Sequence, residues 1–202
     1  LSLAIHRTSP LILASASPRR KRLLEQGRIP FLADPADIPE EHEGDEPAAT
    51  ARRLAGEKAR EVGRRRSGRW ILGADTVVVL EDAVLGKPRD QSDAMATLER
   101  LGGRDHRVVT GFSILSPSGE EVHRESVSTA VRFRPLDERE IEGYVATGEP
   151  FGKAGSYAIQ GIGAFMVASI SGSYTNVVGL PLCAVIRALL DAGALERFPL
   201  PG

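Results

Sequence analysis

From Trp70 to Leu80 the chain offers a long strand candidate, Trp-Ile-Leu-Gly-Ala-Asp-Thr-Val-Val-Val-Leu, whose apolar run is broken in the middle by an acid. Side chains alternate across a strand, so Ile71, Gly73, Asp75, Val77 and Val79 share one face and Asp75 lies among aliphatic neighbours. A bare carboxylate is costly to bury, so this face calls for a cation, a metal or several hydrogen-bond donors beside Asp75. Gly73 on the same face leaves room for something to approach. The plainer alternative makes Asp75 a strand end or bulge paired with a structural arginine.

A second constraint lies near the start. Leu11 to Ala14 suits a short buried strand, followed by the small residues Ser15-Ala16-Ser17, then Pro18 and a basic, Leu-containing stretch ending at Gly27. This is a strand, a tight loop and a helix, with Ser17 as N-cap, Pro18 as first helical residue and Gly27 as stop. Free backbone N–H groups and the dipole at such a helix start favour an anion, and Arg19 and Arg20 lie in the first turn. It is not a Walker A loop, since no Gly-Lys-Ser/Thr follows. An ordinary capped helix with a solvated basic face would look the same.

Further along, Glu46 to about Arg65 predicts a helix closed by the polar Arg64-Arg-Arg-Ser-Gly68 loop, whose charges suit a solvated face. Glu81-Asp82 is a turn from which Ala83 to Gly86 returns, and Ser92 to Leu101 fits a helix. Arg107–Leu115 and Glu121–Arg134 read as paired strands, and Asp137-Glu-Arg-Glu140 has capping-box spacing for a helix to Val145. After a Gly-rich loop from Gly148 to Ser156, Tyr157 to Ile170 is strand-like, and Pro181 to Leu190 is an amphipathic helix. Strands and helices mix without strict alternation, which predicts an α/β fold with a mixed sheet rather than a plain doubly wound one.

The 202 residues, 42% of them hydrophobic, suffice for a proper core. A net charge of −1 gives no global field for nucleic acid or an acidic membrane, and 5% aromatics leave few stacking platforms. The lone cysteine, Cys183, sits in a hydrophobic run and reads as a buried structural thiol in a reducing cytosol. No apolar stretch reaches the about 20 residues that span a bilayer, and Leu1 to Pro10 lack signal-peptide order.

Only Lys21, Lys58, Lys87 and Lys153 are lysine where arginine is the default. A compact point charge suits a phosphate oxygen, although codon bias produces the same scarcity. Asp34 to Glu46 carries Asp37, Glu40, Glu41 and Glu43, enough carboxylates for a hard divalent cation if one folds toward Asp75. Histidines 6, 42, 106 and 123 are too scattered for a transition-metal site, with His106 a polar strand-end residue rather than a base. Ser15, Ser17 and Ser173 lack the Gly-x-Ser-x-Gly elbow of a serine hydrolase.

Taken in order, Leu11–Leu24, Leu54–Ala59, Gly73-Ala-Asp-Thr76, Gly86-Lys-Pro88, Thr110-Gly111, Lys153–Gly161 and Gly179-Leu-Pro181 resemble the Maf family of nucleoside triphosphate pyrophosphatases. The resemblance covers about Leu11 to Leu190. It implies residues 11–202 as one domain in two lobes behind an extension at 1–10, with an elongated mixed sheet, a central cleft and a likeness to inosine triphosphatases. By the same resemblance Asp75 is the catalytic proton acceptor. Ser17, Arg20, Lys58 and Lys87 contact phosphates, and Glu40 joins Asp75 at a divalent cation, Mg²⁺ or Mn²⁺. Where the family often reads Asp-Ile-Asp-Glu, this chain has Asp37-Ile-Pro-Glu40.

Arg19, Thr76 and Gln160 stand where a 7-methyl-GTP branch tends to carry Trp, Gln and Glu, so the resemblance implies dTTP and UTP. The Gln160 amide presents a donor and an acceptor, complementary to a uracil or thymine edge. The expected reaction is in-line attack of water on the α-phosphorus, releasing pyrophosphate. The resemblance also suggests a homodimer. Two alternatives remain at this point: a 7-methyl-GTP pyrophosphatase, and a nucleotide-binding division regulator without turnover, against which the buried acid at Asp75 argues.

Overall fold

A computed structural model describes residues 4–39 and 46–200. The strands are β1 (Leu11–Leu13), β2 (Phe31–Ala33), β3 (Ile71–Leu80), β4 (Ala83–Leu85), β5 (Asp105–Leu115), β6 (Glu121–Phe133) and β7 (Val167–Ser171). The helices are α1 (Pro18–Gln26), α2 (Pro47–Gly63), α3 (Gln91–Leu101), α4 (Glu138–Ala146), α5 (Tyr174–Val178) and α6 (Leu182–Asp191). The sheet order is β2-β1-β3-β5-β6-β7, with β4 paired to β3 off that path. β1 runs parallel to β2 and β3, whereas β3 with β4 and β6 with β7 are antiparallel, so the sheet is mixed as expected.

The chain divides into two compact units, one of Leu1–Asp75, Thr110–Val127 and Gly179–Gly202, the other of Thr76–Val109 and Ser128–Val178. In the first, Ile12, Ala14, Ala59, Val62, Ile71 and Leu115 form a buried cluster. Its defining contact is made by small residues. Ala51, Ala55 and Ala59, four apart on α2, are fully buried and form one stripe along the helix. A Cβ added at Gly73 would lie 2.1 Å from the Ala55 carbonyl oxygen, and one at Gly111 would lie 2.3 Å from that of Ala51. The space that Gly73 leaves is therefore filled by the backbone of α2 and is not open to a ligand.

Local signals in this unit behave as the sequence predicts. The Ser17 hydroxyl accepts from the Arg20 N–H at 3.4 Å with Pro18 first in α1, and Glu46 caps α2 through the Ala48 and Ala49 N–H groups. Two details differ. The arginine run after α2 is not merely solvated: Arg65 and Arg66 grip Asp34 at 2.9 and 2.6 Å, and these hydrogen bonds hold its carboxyl down to about 2. Cys183 is exposed, not buried. Helix α6 buries Val185, Ala188 and Leu189, and residue 183, two before 185, points about 200° away from that face.

The second unit packs Leu80, Leu85, Leu98, Phe133, Ile141 and Met166 into its core, and α4 begins with the expected capping box of Asp137 and Glu140. The predicted strand from Tyr157 to Ile170 shrinks to β7. Within it Ile162–Met166 is a 3₁₀ turn, and just before it, in the expected Gly-rich loop, Ala154–Ser156 is another, with Gly155 and Ser156 at φ of 71° and 61°. Their apolar residues imitate strand content while the glycines bend the backbone. Among the described residues no helix is long and apolar enough to cross a membrane.

His106, at the start of β5, is buried in this core, with Nε2 2.9 Å from the Tyr157 hydroxyl and Phe133 edge-on at 4.9 Å. Burial pushes the imidazole down to about 4 and the Tyr157 phenol far above its ordinary value. The unfolded chain takes up this proton near pH 6.5, and the folded chain refuses it until about pH 4. Its neutral form is stabilising above that window, and stability falls as the pH drops through it, by up to about 1.4 kcal/mol per pH unit. His106→Gln should flatten the dependence of the urea midpoint on pH between 4 and 6.5; a slope parallel to wild type would refute this.

Candidate active site

Two sequence-predicted residues meet in the first unit. Asp75 lies two residues beyond Gly73 on the same face of β3, about 7 Å further along the strand. Helix α2 presses on Gly73 through Ala55 and Ala59, so Lys58, next to Ala59, reaches along the sheet to that carboxylate. Lys58 Nζ donates to Asp75 Oδ1 at 2.7 Å, and both residues are under a tenth exposed. The cation demanded by a buried acid is thus a lysine rather than the structural arginine of the plainer reading.

The other oxygen, Asp75 Oδ2, is buried and has no hydrogen-bond partner among the described residues. A buried carboxylate oxygen left in that state is costly, and a water, a phosphate-bound proton or a cation would relieve it. No group of three His, Cys, Asp or Glu side chains among the described residues can hold a metal ion. The chemistry of the Asp75 carboxylate oxygen suits a hard cation. Glu40, the other expected metal ligand, falls outside the described residues.

The Ser15–Arg20 loop is built around a buried guanidinium. Arg20 Nη1 donates to Ser15 Oγ at 3.0 Å and Nε to the Gly179 carbonyl at 2.8 Å, while the Ser17 N–H donates to Ser15 Oγ at 3.3 Å. Arg20 thereby braces the loop from inside and joins two of the motifs, Leu11–Leu24 and Gly179-Leu-Pro181. Ser17 and Arg19 are half-buried at the start of α1.

Thr76, Lys87 and Gln160 belong to the second unit, where Thr76 is half-buried and the other two are exposed. The Gly155 N–H donates to the Gly86 carbonyl at 3.1 Å, which brings Gly86-Lys-Pro88 against the Lys153–Gly161 segment. Gly155 must be glycine twice over: its φ is positive, and a Cβ would sit 2.9 Å from both Val78 methyls. The hydroxyl of neighbouring Ser156 is buried and has no hydrogen-bond partner among the described residues. Glu149 and Tyr144, which sequence reasoning missed, hold the turn that carries Gln160. The signal that could have found them is the pair Gly161 and Gly163, small residues on either side of an exposed apolar one.

The described model of the Maf-like protein family matches residues 10–192. The dTTP/UTP pyrophosphatase of Syntrophotalea carbinolica is 54% identical over 194 residues, covering 94% of this chain and 88% of that protein. That of Citrifermentans bemidjiense is 50% identical over 190 residues, with 94% and 98% covered. A solved nucleoside-triphosphatase/dITP/XTP pyrophosphatase from Mycobacterium abscessus aligns with 69% of this chain and 95% of its own at 15% identity, with a TM-score of 0.40. Matched along nearly its whole length and about half identical to these relatives, the chain belongs to the Maf-like protein family.

Proposed function

We propose that this protein hydrolyses dTTP and UTP to the nucleoside monophosphate and pyrophosphate, acting in the cytosol as a homodimer, with residues 11–202 as the pyrophosphatase domain behind a short extension at 1–10. The observation that carries the reading is the buried Asp75, one oxygen held by Lys58 and the other without a partner. An acid neutralised on one side and unsatisfied on the other is arranged to take a proton. The names of the relatives, at 54% and 50% identity, supply the substrate class.

In this reading Asp75 Oδ2 accepts a proton from the water whose oxygen bonds to the α-phosphorus. The bond from that phosphorus to the bridging oxygen breaks, and pyrophosphate leaves with the electron pair. Lys58 keeps its bond to Oδ1, and with three donors on one ammonium it can also serve a phosphate oxygen. Ser17, Arg20 and Lys87 are assigned to the phosphates, helped by the positive end of α1. Arg19, Thr76 and Gln160 are assigned to base selection. A divalent cation, Mg²⁺ or Mn²⁺, shared by Asp75 and Glu40 would supply neutralisation of phosphate charge.

The test is pyrophosphate release from dTTP, UTP, CTP, dATP, GTP and 7-methyl-GTP, with and without Mg²⁺. Turnover confined to the pyrimidines and dependent on the cation is expected. Equal turnover of all purines would sink the assignment, and a preference for 7-methyl-GTP would move the protein to that branch. Nucleotide binding without any turnover would favour a regulator.

A further inference from the structure

The turn that carries Gln160 is held by a single carboxylate and a single phenol. Glu149 Oε2 accepts from the Ile162 N–H at 2.7 Å, and Oε1 accepts from the Gly163 N–H at 3.3 Å. The Tyr144 hydroxyl accepts from the Ala158 N–H at 3.2 Å and donates to Glu149 Oε1 at 3.3 Å. Backbone donors on both sides of Gln160 are thus tied to one connected pair of side chains. The pair is fixed in turn: the Glu149 N–H donates to Thr147 Oγ1 at 3.1 Å, and Lys153 Nζ donates to the Glu149 carbonyl.

The glycines flanking Ile162 follow from this clamp. A Cβ at Gly161 would lie 2.3 Å from Glu149 Oε1, and one at Gly163 would lie 2.7 Å from the Tyr144 hydroxyl. The two glycines let the carboxylate and the phenol reach the backbone itself. Charge-assisted bonds from N–H groups to a carboxylate are about twice as strong as neutral ones. Spent on an otherwise exposed turn, they restrict where the Gln160 backbone can go.

We infer that Glu149, through its carboxylate and with Tyr144, is a positioning residue for base selection: it fixes the backbone of the 158–163 turn, and with it the place from which the Gln160 side chain extends toward the base. The inference rests on the assignment of Gln160 to the base. An amide reads a base edge only from a set distance and angle, so its discrimination between uracil and cytosine falls when the backbone that carries it drifts. Glu149 touches no reacting atom. Its removal therefore acts on discrimination and on KM more than on kcat.

The experiment measures kcat and KM for UTP and CTP with Glu149→Ala, Glu149→Gln, Tyr144→Phe, Gln160→Ala and the Glu149→Ala/Gln160→Ala double variant, each with its thermal midpoint. Glu149→Ala is expected to lower the UTP-to-CTP ratio of kcat/KM by roughly 10-fold, mostly through KM, a shift of about 1.4 kcal/mol. Glu149→Gln, which keeps one acceptor, and Tyr144→Phe should lie between it and wild type. They also carry the test if the alanine variant does not fold. Because Glu149 works through Gln160, the double variant should discriminate no worse than Gln160→Ala alone.

Additive losses in the double variant, or an unchanged ratio in Glu149→Gln and Tyr144→Phe, would overturn the inference while leaving Gln160 as the selector. An unchanged ratio in Gln160→Ala would remove the assignment of Gln160, and the clamp's purpose with it.

Discussion

Asp75→Asn is expected to lower the rate of pyrophosphate release by about 10²- to 10⁴-fold, the range that a positioned proton acceptor contributes. The same change should also destabilise the fold. Lys58 is under a tenth exposed and donates to Asp75 at 2.7 Å, so neutralising the acid leaves a buried ammonium without its counter-charge. Breaking one side of a buried pair costs about 3–5 kcal/mol, whereas replacing both sides with neutral groups of similar shape is often close to neutral. Lys58→Met combined with Asp75→Asn should therefore regain much of the lost stability and remain inactive. Pyrophosphate release and urea denaturation on wild type and the two variants separate catalysis from folding. Full turnover in Asp75→Asn would eliminate Asp75 as the acceptor.

Gly73→Ala should be at least as damaging to stability. Its new methyl would stand 2.1 Å from the Ala55 carbonyl oxygen, 2.8 Å from the Ala59 nitrogen and 2.9 Å from the Ala59 Cβ. Those atoms are helix backbone or its first carbon, so no side chain can rotate out of the way and the helix itself has to lift. Overpacking a core typically costs about 1–3 kcal/mol, and a clash with rigid backbone belongs at or beyond the upper end. Lifting α2 also draws Lys58 from Asp75, so any folded fraction should be slow. Gly143→Ala is the control: nothing lies within 4 Å of its Cβ position on the exposed side of α4, and alanine there should add about 0.5–1 kcal/mol. Equal thermal midpoints for Gly73→Ala and wild type would refute the close contact.

Features governed by neighbours in sequence were legible before the structure. The Ser17 cap, Pro18, the Asp137–Glu140 box and the apolar run of β3 each act within a few residues, so the residues announce the element. Strand β2 was not legible, since its three residues are half-buried or exposed and carry no alternation worth reading. The segment from Tyr157 misled because the apolar residues of Ile162–Met166 line a 3₁₀ turn, which has no strand period. Cys183 misled because a hydrophobic run on a helix still has an outward side.

For the site, residue types carried the candidates but not their partners. That Asp75 needs a cation, a metal or several hydrogen-bond donors followed from the cost of burying it; that the partner is Lys58 did not. The pairing depends on the alanine stripe of α2 lying on Gly73 and Gly111, a match between three segments distant in sequence. Small residues four apart, set against two glycines in strands, were visible in the letters and meaningful only once α2 was known to cross those strands. Glu149 was missed for a similar reason, because its partners are backbone N–H groups, which no sequence displays.

The bond from Arg20 to the Gly179 carbonyl spans 159 residues. During synthesis the Ser15–Arg20 loop leaves the ribosome early, but the carbonyl that braces its guanidinium is made only when residue 179 is added. At about 5–20 residues per second that is a delay of roughly 10–30 seconds. Throughout that time the buried position of Arg20 is not yet available, and the start of α1 lacks its inner support. The nascent chain thus completes the brace of its Ser15–Arg20 loop late, after the Gly73 to Thr76 strand and the whole second unit have been synthesised.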